Sequence, residues 1–178
     1  NVSAIEDIPF LPISFFKSHE LIGKNVIREK LFLSSGTSKQ NRSKHYLHSL
    51  AYYELSFLNG FKSFYGEPSD YCILAMLPSY LENGDSSLIY MVDNLMKSAG
   101  NGSQYIKSDD SAAALIEKHK KKSKVLIIGV TYALLEFAER FPIDLSGHIV
   151  METGGMKGRA KELVRQEVHS ILKRAFNL

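Results

Sequence analysis

The sequence is poor in cysteine, and Cys72 is its only thiol. A single cysteine excludes an intrachain disulfide framework and any metal site built from a cysteine cluster. Proteins that work in a reducing compartment commonly lack disulfides. The sequence therefore predicts a cytoplasmic protein.

Long uninterrupted apolar runs are also missing from the sequence. A membrane-spanning helix needs about 18 to 20 such residues, and the nearest candidate, residues 125–138, is interrupted by Thr131, Tyr132 and Glu136. The start of the chain lacks the basic and apolar regions of a secretory signal. We therefore predict no membrane span and no secretion signal in this sequence.

Neither sign of charge dominates. The 22 Lys and Arg residues against 19 Asp and Glu residues leave a formal net charge of +3, which is too small an excess to indicate nucleic-acid binding. The densest positive run, residues 118–124, contains no interleaved aromatic side chains on which bases could stack. We interpret this run as the solvated C-terminal end of a helix, where cations offset the helix dipole, and we predict no nucleic-acid partner.

The rest of the composition is that of a globular protein. The 178 residues are 44% hydrophobic and 23% charged, which excludes an intrinsically disordered chain. This length predicts one domain, or one lobe of a larger protein. Because the chain starts at Asn1 and stops at Leu178 directly after a helical pattern, we expect residues 1–178 to be a single α/β domain cut from a longer chain.

Apolar periodicity and turn residues divide the chain into alternating strands and helices. Residues 71–77 are a continuous apolar run, typical of a strand buried on both faces of a parallel sheet, and residues 124–129, apolar after Lys124, are predicted to form another buried strand. Further strands are predicted at 26–33 and 147–151, and helices at 43–61, 86–99, 108–121, 131–140 and 158–175. Residues 1–25 contain Pro9 and Pro12 and are predicted to form an extended arm packed on the core. This order, with no hairpin signal between strands, predicts an α/β fold: a mostly parallel sheet flanked by helices.

Three segments rich in small or polar residues follow predicted strands. Ligands of open α/β sheets bind beyond the carboxyl ends of the strands, so we expect these segments at one edge. The first, residues 34–44, combines small residues whose N–H groups can surround phosphate with three cations, Lys39, Arg42 and Lys44. We expect the next helix to begin there, with its positive dipole end toward the loop. A polar surface loop with Ser43 as the helix N-cap explains the same residues equally well.

Two common phosphate-binding patterns do not fit this sequence. A Walker A loop has lysine and then serine or threonine starting five residues after its first glycine, and Asn41 stands at that place after Gly36. The dinucleotide-binding fingerprint also fails, because the pair Gly100 and Gly102 follows a helix and Tyr105 occupies the third glycine position.

The second and third segments are shorter. Gly154 and Gly155 follow a predicted strand, and two adjacent glycines let a flat group lie against the backbone because no Cβ intervenes. A tight strand-to-helix connection is the simpler interpretation of the same pair. Residues 78–80 follow the strand at 71–77 and either line a pocket or only turn the chain.

Taken in this order, the segments resemble those of the adenylate-forming enzymes. The stretch FLSSGTS at 32–38 is similar to the S-S-G-T-T-G loop of that superfamily. Residues 8–20, 77–82 and 151–158 resemble, more narrowly, the acyl-protein synthetases (LuxE family) that activate fatty acids for the bacterial luciferase system. The likeness spans nearly the whole chain and implies the large N-terminal lobe of such an enzyme.

The resemblance implies a ligase that uses ATP to activate a fatty or other carboxylic acid. The carboxylate would attack the α-phosphate of ATP to give an acyl-adenylate and pyrophosphate, and the acyl group would then pass to a thiol. Implied cofactors are ATP and Mg²⁺, and the implied partners are the carboxylic acid and an acyl-accepting or acyl-reducing protein. No catalytic residue and no metal ligand is assigned.

The resemblance also implies residue roles. The phosphates would be held by Ser34, Ser35, Gly36, Thr37, Ser38, Lys39 and Arg42. The adenine would lie beside Glu152, Thr153, Gly154 and Gly155, and the acyl chain beside Ser79 and Tyr80.

The sequence departs from the family pattern in two ways. Lys39 stands where the superfamily loop has its second glycine, and the family's later glutamate, aspartate and lysine motifs do not occur. The resemblance therefore implies a front portion without the C-terminal lobe, inactive by itself. Two alternatives stay open: an acyl-CoA ligase of the phenylacetate type, and a non-catalytic nucleotide-binding module, which Lys39 favours.

Three other groups of side chains invite a functional interpretation. Cys72 lies in a strand predicted to be buried, where a cysteine behaves as a small hydrophobic residue. His45 and His48 have the spacing of a helical metal pair but no third ligand, so we interpret them as exposed helix histidines. Six aromatic residues form either an acyl pocket or, as is more common, part of the core. They are Tyr46, Tyr52, Tyr53, Phe57, Phe61 and Phe64.

Overall fold

The computed structural model describes residues 4–34, 42–77, 84–154 and 163–178. The helices are α1 (Phe15–Ser18), α2 (Leu50–Tyr65), α3 (Ser87–Ala99), α4 (Asp110–Lys120), α5 (Thr131–Arg140) and α6 (Arg165–Phe176). The strands are β1 (Lys30–Leu33), β2 (Lys44–Leu47), β3 (Tyr71–Met76), β4 (Gln104–Tyr105), β5 (Lys124–Gly129) and β6 (Ile149–Glu152).

A parallel sheet of four strands in the order β4-β3-β5-β6 forms the centre of the fold. Every residue of β3 is buried, and so is every residue of β5 after Lys124. Because side chains alternate between the two faces of a strand, burial along its whole length requires cover on both faces. Helix α3 packs on β3 and α4 packs on β5. The predicted α/β class, with a mostly parallel sheet flanked by helices, is confirmed.

The order in which successive strands are added to the sheet reverses at β3. Strand β4 lies on one side of β3, and β5, the next strand in sequence, lies on the other. Such a switch point opens a crevice at the carboxyl ends of the two central strands, because their connections leave to opposite sides. The crevice here lies beyond Met76 and Gly129, which are paired in register.

A second, separate sheet corrects the predicted absence of hairpins. Strands β1 and β2 pair antiparallel, with Leu31 opposite Tyr46 and Phe32 opposite His45. The helix predicted over 43–61 therefore begins only at Leu50, and residues 44–47 belong to a strand. The helical spacing of apolar residues already begins within residues 44–47. These residues form a strand because their backbone groups can hydrogen-bond to β1. The strand predicted over 26–33 is correspondingly shorter and covers 30–33.

The N-terminal arm also differs from its prediction. Phe10 and Ile13 are exposed rather than packed on the core, and so is Ile5. The short helix α1 interrupts the arm, and Phe16 stacks on His45 at a ring-centroid distance of 4.7 Å. The arm therefore contacts the hairpin rather than the parallel sheet.

Helix boundaries elsewhere follow the local capping residues. Ser86 accepts the N–H of Ile89 at the start of α3, and Asp109 accepts the N–H of Ala112 at the start of α4. Gly100, at a φ of +61°, ends α3 as predicted. Helix α6 begins at Arg165, and residues 158–162 of its predicted range lie outside the described residues. Among the described helices, none combines the length and the apolarity that crossing a membrane requires.

Candidate functional site

Polar side chains gather where β5 and β6 end. Glu152 is the last residue of β6, and its side chain is only 13% exposed. The carboxylate accepts a hydrogen bond from the hydroxyl of Thr131, the first residue of α5, and another from the N–H of Gly154 at 2.7 Å. Its second oxygen lies 4.0 Å from Nε2 of His169 on α6. An acidic group at the beginning of a helix is favourable because it faces the positive end of the helix dipole.

The turn after β6 is held to β5 as well. Thr153 donates both its N–H and its hydroxyl to the carbonyl of Gly129, at 3.0 and 3.2 Å. Gly154 then adopts a φ of +82°, a left-handed conformation that favours glycine. Among the described residues, a Cβ built on Gly154 would meet no heavy atom within 4 Å. The backbone at Gly154 is therefore fixed by its neighbours and is not covered by any other described residue, which suits the approach of a flat group.

The predicted phosphate segment connects β1 to β2, so both of its ends lie at the turn end of the hairpin. Ser34 donates its N–H to the carbonyl of Ser43 and accepts the N–H of Ser43 on its hydroxyl oxygen, at 3.0 and 2.8 Å. Nε of Arg42 donates to the carbonyl of Ser34 at 2.5 Å, and a terminal nitrogen reaches the carbonyl of Leu33 at 3.4 Å. These bonds fix both ends of the segment and occupy part of the Arg42 guanidinium.

This geometry corrects two expectations. Ser43 is not a helix N-cap, because Ser49 occupies that place before α2. The segment joins two antiparallel strands rather than a strand and a helix, so it leads into β2 and not directly into a helix. The hairpin also lies outside the parallel sheet, so the first segment does not follow one of that sheet's strands.

The hairpin nevertheless reaches the carboxyl side of β3. Leu33 donates its N–H to the carbonyl of Asp85, just before α3 begins, at 2.9 Å. Nζ of Lys30 lies 3.2 Å from the carbonyl of Gly84. The ring of Phe32 packs against Tyr53 and Tyr90, at centroid distances of 5.4 and 5.6 Å. The end of the hairpin from which the first segment starts therefore lies near the start of α3, on the carboxyl side of β3, although β1 belongs to a different sheet.

Several predicted site residues lie outside the described part of the chain. They are Ser35, Gly36, Thr37, Ser38, Lys39, Ser79, Tyr80 and Gly155. Their proposed roles in binding phosphate, acyl chain and adenine stay predictions. Ser34, Arg42, Glu152, Thr153 and Gly154 have the positions given above.

Comparisons with known proteins offer no family for this chain. No family model, no curated protein and no solved structure matches it. The likeness seen in the sequence therefore remains a resemblance of short motifs, and the function is argued from the site itself.

The cysteine and the two histidines that were considered as functional residues lie in surroundings typical of structural residues. Cys72 is fully buried, and burial raises the pKa of its thiol to about 11, as expected for a core cysteine. His45 and His48 are exposed as predicted, but they do not lie on a helix: His45 is in β2 and His48 follows it. Among the described residues, no three metal-ligating side chains converge.

The six aromatic residues divide between core and surface. Phe57 and Phe61 are buried, and Tyr53 packs against the same core. Tyr52 and Phe64 are exposed, by 66% and 84%. The Tyr46 hydroxyl donates to Glu20 at 3.0 Å. The described part of the chain shows core packing for three of them and does not gather the six into one pocket.

Sequence reasoning missed the two side chains that contact Glu152. Thr131 was noted only as an interruption of an apolar run and as the start of a predicted helix, and His169 was given no functional role. The signal for Thr131 was its place directly after a buried strand, at the first turn of a helix. No local signal pointed to His169, because its distance from Glu152 depends on how α6 packs against the sheet.

Proposed function

We propose that this chain supplies the nucleotide-binding part of an ATP-dependent enzyme that activates a carboxylic acid, with a fatty acid as the favoured substrate. In such an enzyme the acid and ATP form an acyl-adenylate and pyrophosphate, and the acyl group passes to a thiol. The observation that carries the proposal is the Gly154 turn at the carboxyl edge of the sheet, which is fixed to β5 and, within the described part of the chain, is uncovered above its Cα.

The residues at this edge would contribute by holding the nucleotide-binding turn in a fixed conformation. The Glu152 carboxylate holds the N–H of Gly154, and Thr153 holds the carbonyl of Gly129, so the turn does not have to reorganise when a flat base lies on it. The neck of the hairpin, with Ser34 and Arg42, would present the phosphate segment from the side of β3. Adjacent strands lie about 4.8 Å apart, so the β3 and β6 ends are about 10 Å apart, a spacing suited to a nucleotide's base and phosphates.

The cations near the hairpin suit a triphosphate. Arg42 keeps donors beyond those it gives to the two carbonyls, since a guanidinium has five N–H groups. Mg²⁺ normally accompanies ATP and is held mainly by phosphate oxygens and water with one or two carboxylates. The proposal assigns no protein ligand to Mg²⁺, because Glu152 already accepts two hydrogen bonds at its place in the turn.

Amide hydrogen exchange with and without MgATP tests the binding. We expect slower exchange at Thr153 and Gly154 and at the hairpin neck, Ser34 and Ser43, with MgGTP as the control nucleotide. A Gly154→Val variant should lose the effect at the turn and keep it at the neck, because only the turn would be obstructed. Unchanged exchange at both places at millimolar MgATP would contradict the proposal.

A non-catalytic nucleotide-binding module is the second candidate. The hairpin supports it, because the phosphate segment leads into β2 and not directly into the N-terminus of a helix, whose dipole would strengthen phosphate binding. Lys39→Gly separates the two candidates. For an enzyme the substitution should change the rate of acyl-adenylate formation, whereas for a module it should change only the affinity for ATP.

A further inference from the structure

The outer edge of β6 is open in the described part of the chain. Strand β6 pairs with β5 on one side and has no strand on the other. All four of its residues are partly exposed, whereas β3 is buried throughout. Exposed edges are usually protected by proline, by lysine on the strand itself or by a bulge. The β6 sequence Ile-Val-Met-Glu contains no proline or lysine.

The backbone register shows which groups face outward. Thr153 donates its N–H to Gly129 on β5, so by alternation the N–H and C=O groups of Ile149 and Met151 also face β5. The N–H and C=O groups of Val150 and Glu152 therefore point away from the sheet. They form the pattern that an additional strand would use for its hydrogen bonds.

A groove of about 440 Å³ runs along this edge, between β6 and α6. On its helical side it is lined by Arg165, His169 and Lys173, which we call the basic stripe. The three residues are spaced by four positions, so they lie on one face of α6, about 6 Å apart along its axis. No ion pair joins Arg165 or Lys173 to an acid within the described residues, and His169 lies 4.0 Å from Glu152.

The spacing of the basic stripe matches that of a strand. Alternate residues of a β-strand are about 6.6 Å apart and point to the same face. Acidic side chains at alternate positions of an added strand would therefore lie near successive residues of the stripe, of which Arg165 and Lys173 carry the positive charge. Among the other residues that line the groove, the apolar side chains of Met151 and Leu172, together with Tyr65, would cover the other residues of the strand.

We infer that the β6 edge and the basic stripe form a docking site for an extended acidic peptide segment of a partner protein, which adds to the sheet as a fifth strand beside β6. A second copy of this chain is a poorer occupant, because pairing β6 with its copy would bring two basic stripes together. Like charges in such a contact oppose association.

Fluorescence anisotropy with labelled peptides tests the inference. The probe is a peptide of about eight residues that alternates valine and glutamate. One control alternates valine and lysine, with the same strand preference and opposite charge, and another alternates proline and glutamate, with the same charge and no capacity to pair. We expect only the first peptide to bind, with an affinity that falls as salt is added.

Two sets of variants separate strand pairing from simple charge attraction. Val150→Pro removes the outward N–H without touching the ladder with β5, a place where an edge strand tolerates proline, and should weaken binding about tenfold or more. Arg165→Glu with Lys173→Glu should also weaken binding about tenfold. Arg174→Glu is the matched control, because Arg174 lies on the same helix but outside the groove.

Residue-resolved amide exchange keeps the test decisive if Val150→Pro does not fold. A bound strand should protect the amides of Val150 and Glu152, while those of Ile149 and Met151 are already held by β5. Equal binding of the three peptides, or binding without this alternating protection, would overturn the inference. The inference would also be overturned if the free chain formed a dimer that persists in Arg174→Glu and is lost in Val150→Pro. That result would make a second copy of the chain the occupant of the β6 edge.

Discussion

The hydroxyl of Thr131 donates a hydrogen bond to the carboxylate of Glu152 and so joins the first turn of α5 to the last residue of β6. Thr131 is buried, with 4% of its surface exposed. The same carboxylate fixes the N–H of Gly154. One hydroxyl therefore helps to determine the shape of the turn on which the proposed nucleotide site depends.

Removing that hydroxyl should destabilise the protein. Thr131→Val keeps the volume of the side chain and deprives a mostly buried carboxylate of a donor, and hydrogen bonds to charged groups contribute about 1.5–3 kcal/mol. We expect a loss of that size in the free energy of unfolding, measured with urea. The control is Thr153→Val, at an exposed residue whose backbone bond to Gly129 remains. Equal stability of the two variants would contradict the role given to Thr131.

Two glycines should respond in opposite directions to the same substitution. Gly154→Ala places a Cβ at a φ of +82°, which costs about 1 kcal/mol although the added atom meets no neighbour. Gly60 lies inside α2 with open space around its Cα, so Gly60→Ala should stabilise the protein by about 0.5–1 kcal/mol. Chemical denaturation measures both changes. A stabilising Gly154→Ala would show that the turn is not held in its left-handed conformation.

The thiol of Cys72 should not react in the folded protein. It is fully buried, and burial raises its pKa to about 11, so little thiolate forms near neutral pH. Labelling with a chromogenic disulfide reagent should follow unfolding, slow in buffer and complete in urea. Rapid stoichiometric labelling of the native protein would instead make Cys72 a candidate acyl acceptor.

The stability of the fold should decline as the solution is acidified below about pH 6.5. Nδ1 of His148 accepts the N–H of Val125 at 3.0 Å, a bond that requires the unprotonated nitrogen. Burial, followed by Lys120 and Lys124, lowers the pKa of His148, and Asp144 opposes this only weakly. The unfolded state therefore binds the proton first as the pH falls, and the folded state loses relative stability until its own lower pKa is passed.

His148→Asn provides the matched control for this prediction. The asparagine oxygen is bonded to Cγ as Nδ1 is, so it can accept the same backbone N–H, and because it does not titrate the variant should lose the slope just below pH 6.5. Slopes from carboxylates should remain at lower pH, because the pKa values of Asp109 and Asp144 are themselves lowered by hydrogen bonds, chiefly from Ser111 and from Ser146. Unfolding midpoints measured from pH 7 to pH 3 decide the matter, and an unchanged slope in the variant would exclude His148 as its source.

Local patterns accounted for most of the parallel sheet and its helices. The run at 71–77 is apolar throughout and the run at 124–129 is apolar after Lys124, and runs of that length favour strands covered on both faces, which is what β3 and β5 show. Asp109 and Gly100 mark helix ends through hydrogen bonds and backbone freedom within a few residues. Such features need no distant partner and are readable from the sequence.

Features that rest on distant partners were misjudged. Residues 44–47 continue an apolar spacing that favours a helix, yet they pair with β1 because its backbone groups lie within reach only in the folded hairpin. Likewise, β4 has only two residues and no apolar run. It is a strand because its residues pair with Leu74 and Ala75 of β3. The arm was expected on the core, but the structure gives it few buried side chains.

The sequence by itself determined the α/β class, the two central buried strands and the burial of Cys72, because apolar runs and capping residues act over short distances. Tertiary structure alone decided that Thr131, Glu152 and His169 meet at one edge and that the predicted phosphate segment closes a hairpin. It also decided that, in the described part of the chain, β6 leaves its outer edge open beside the basic stripe of α6. These arrangements depend on which strands pair and on where each helix packs, and both are set by contacts between residues far apart in the chain.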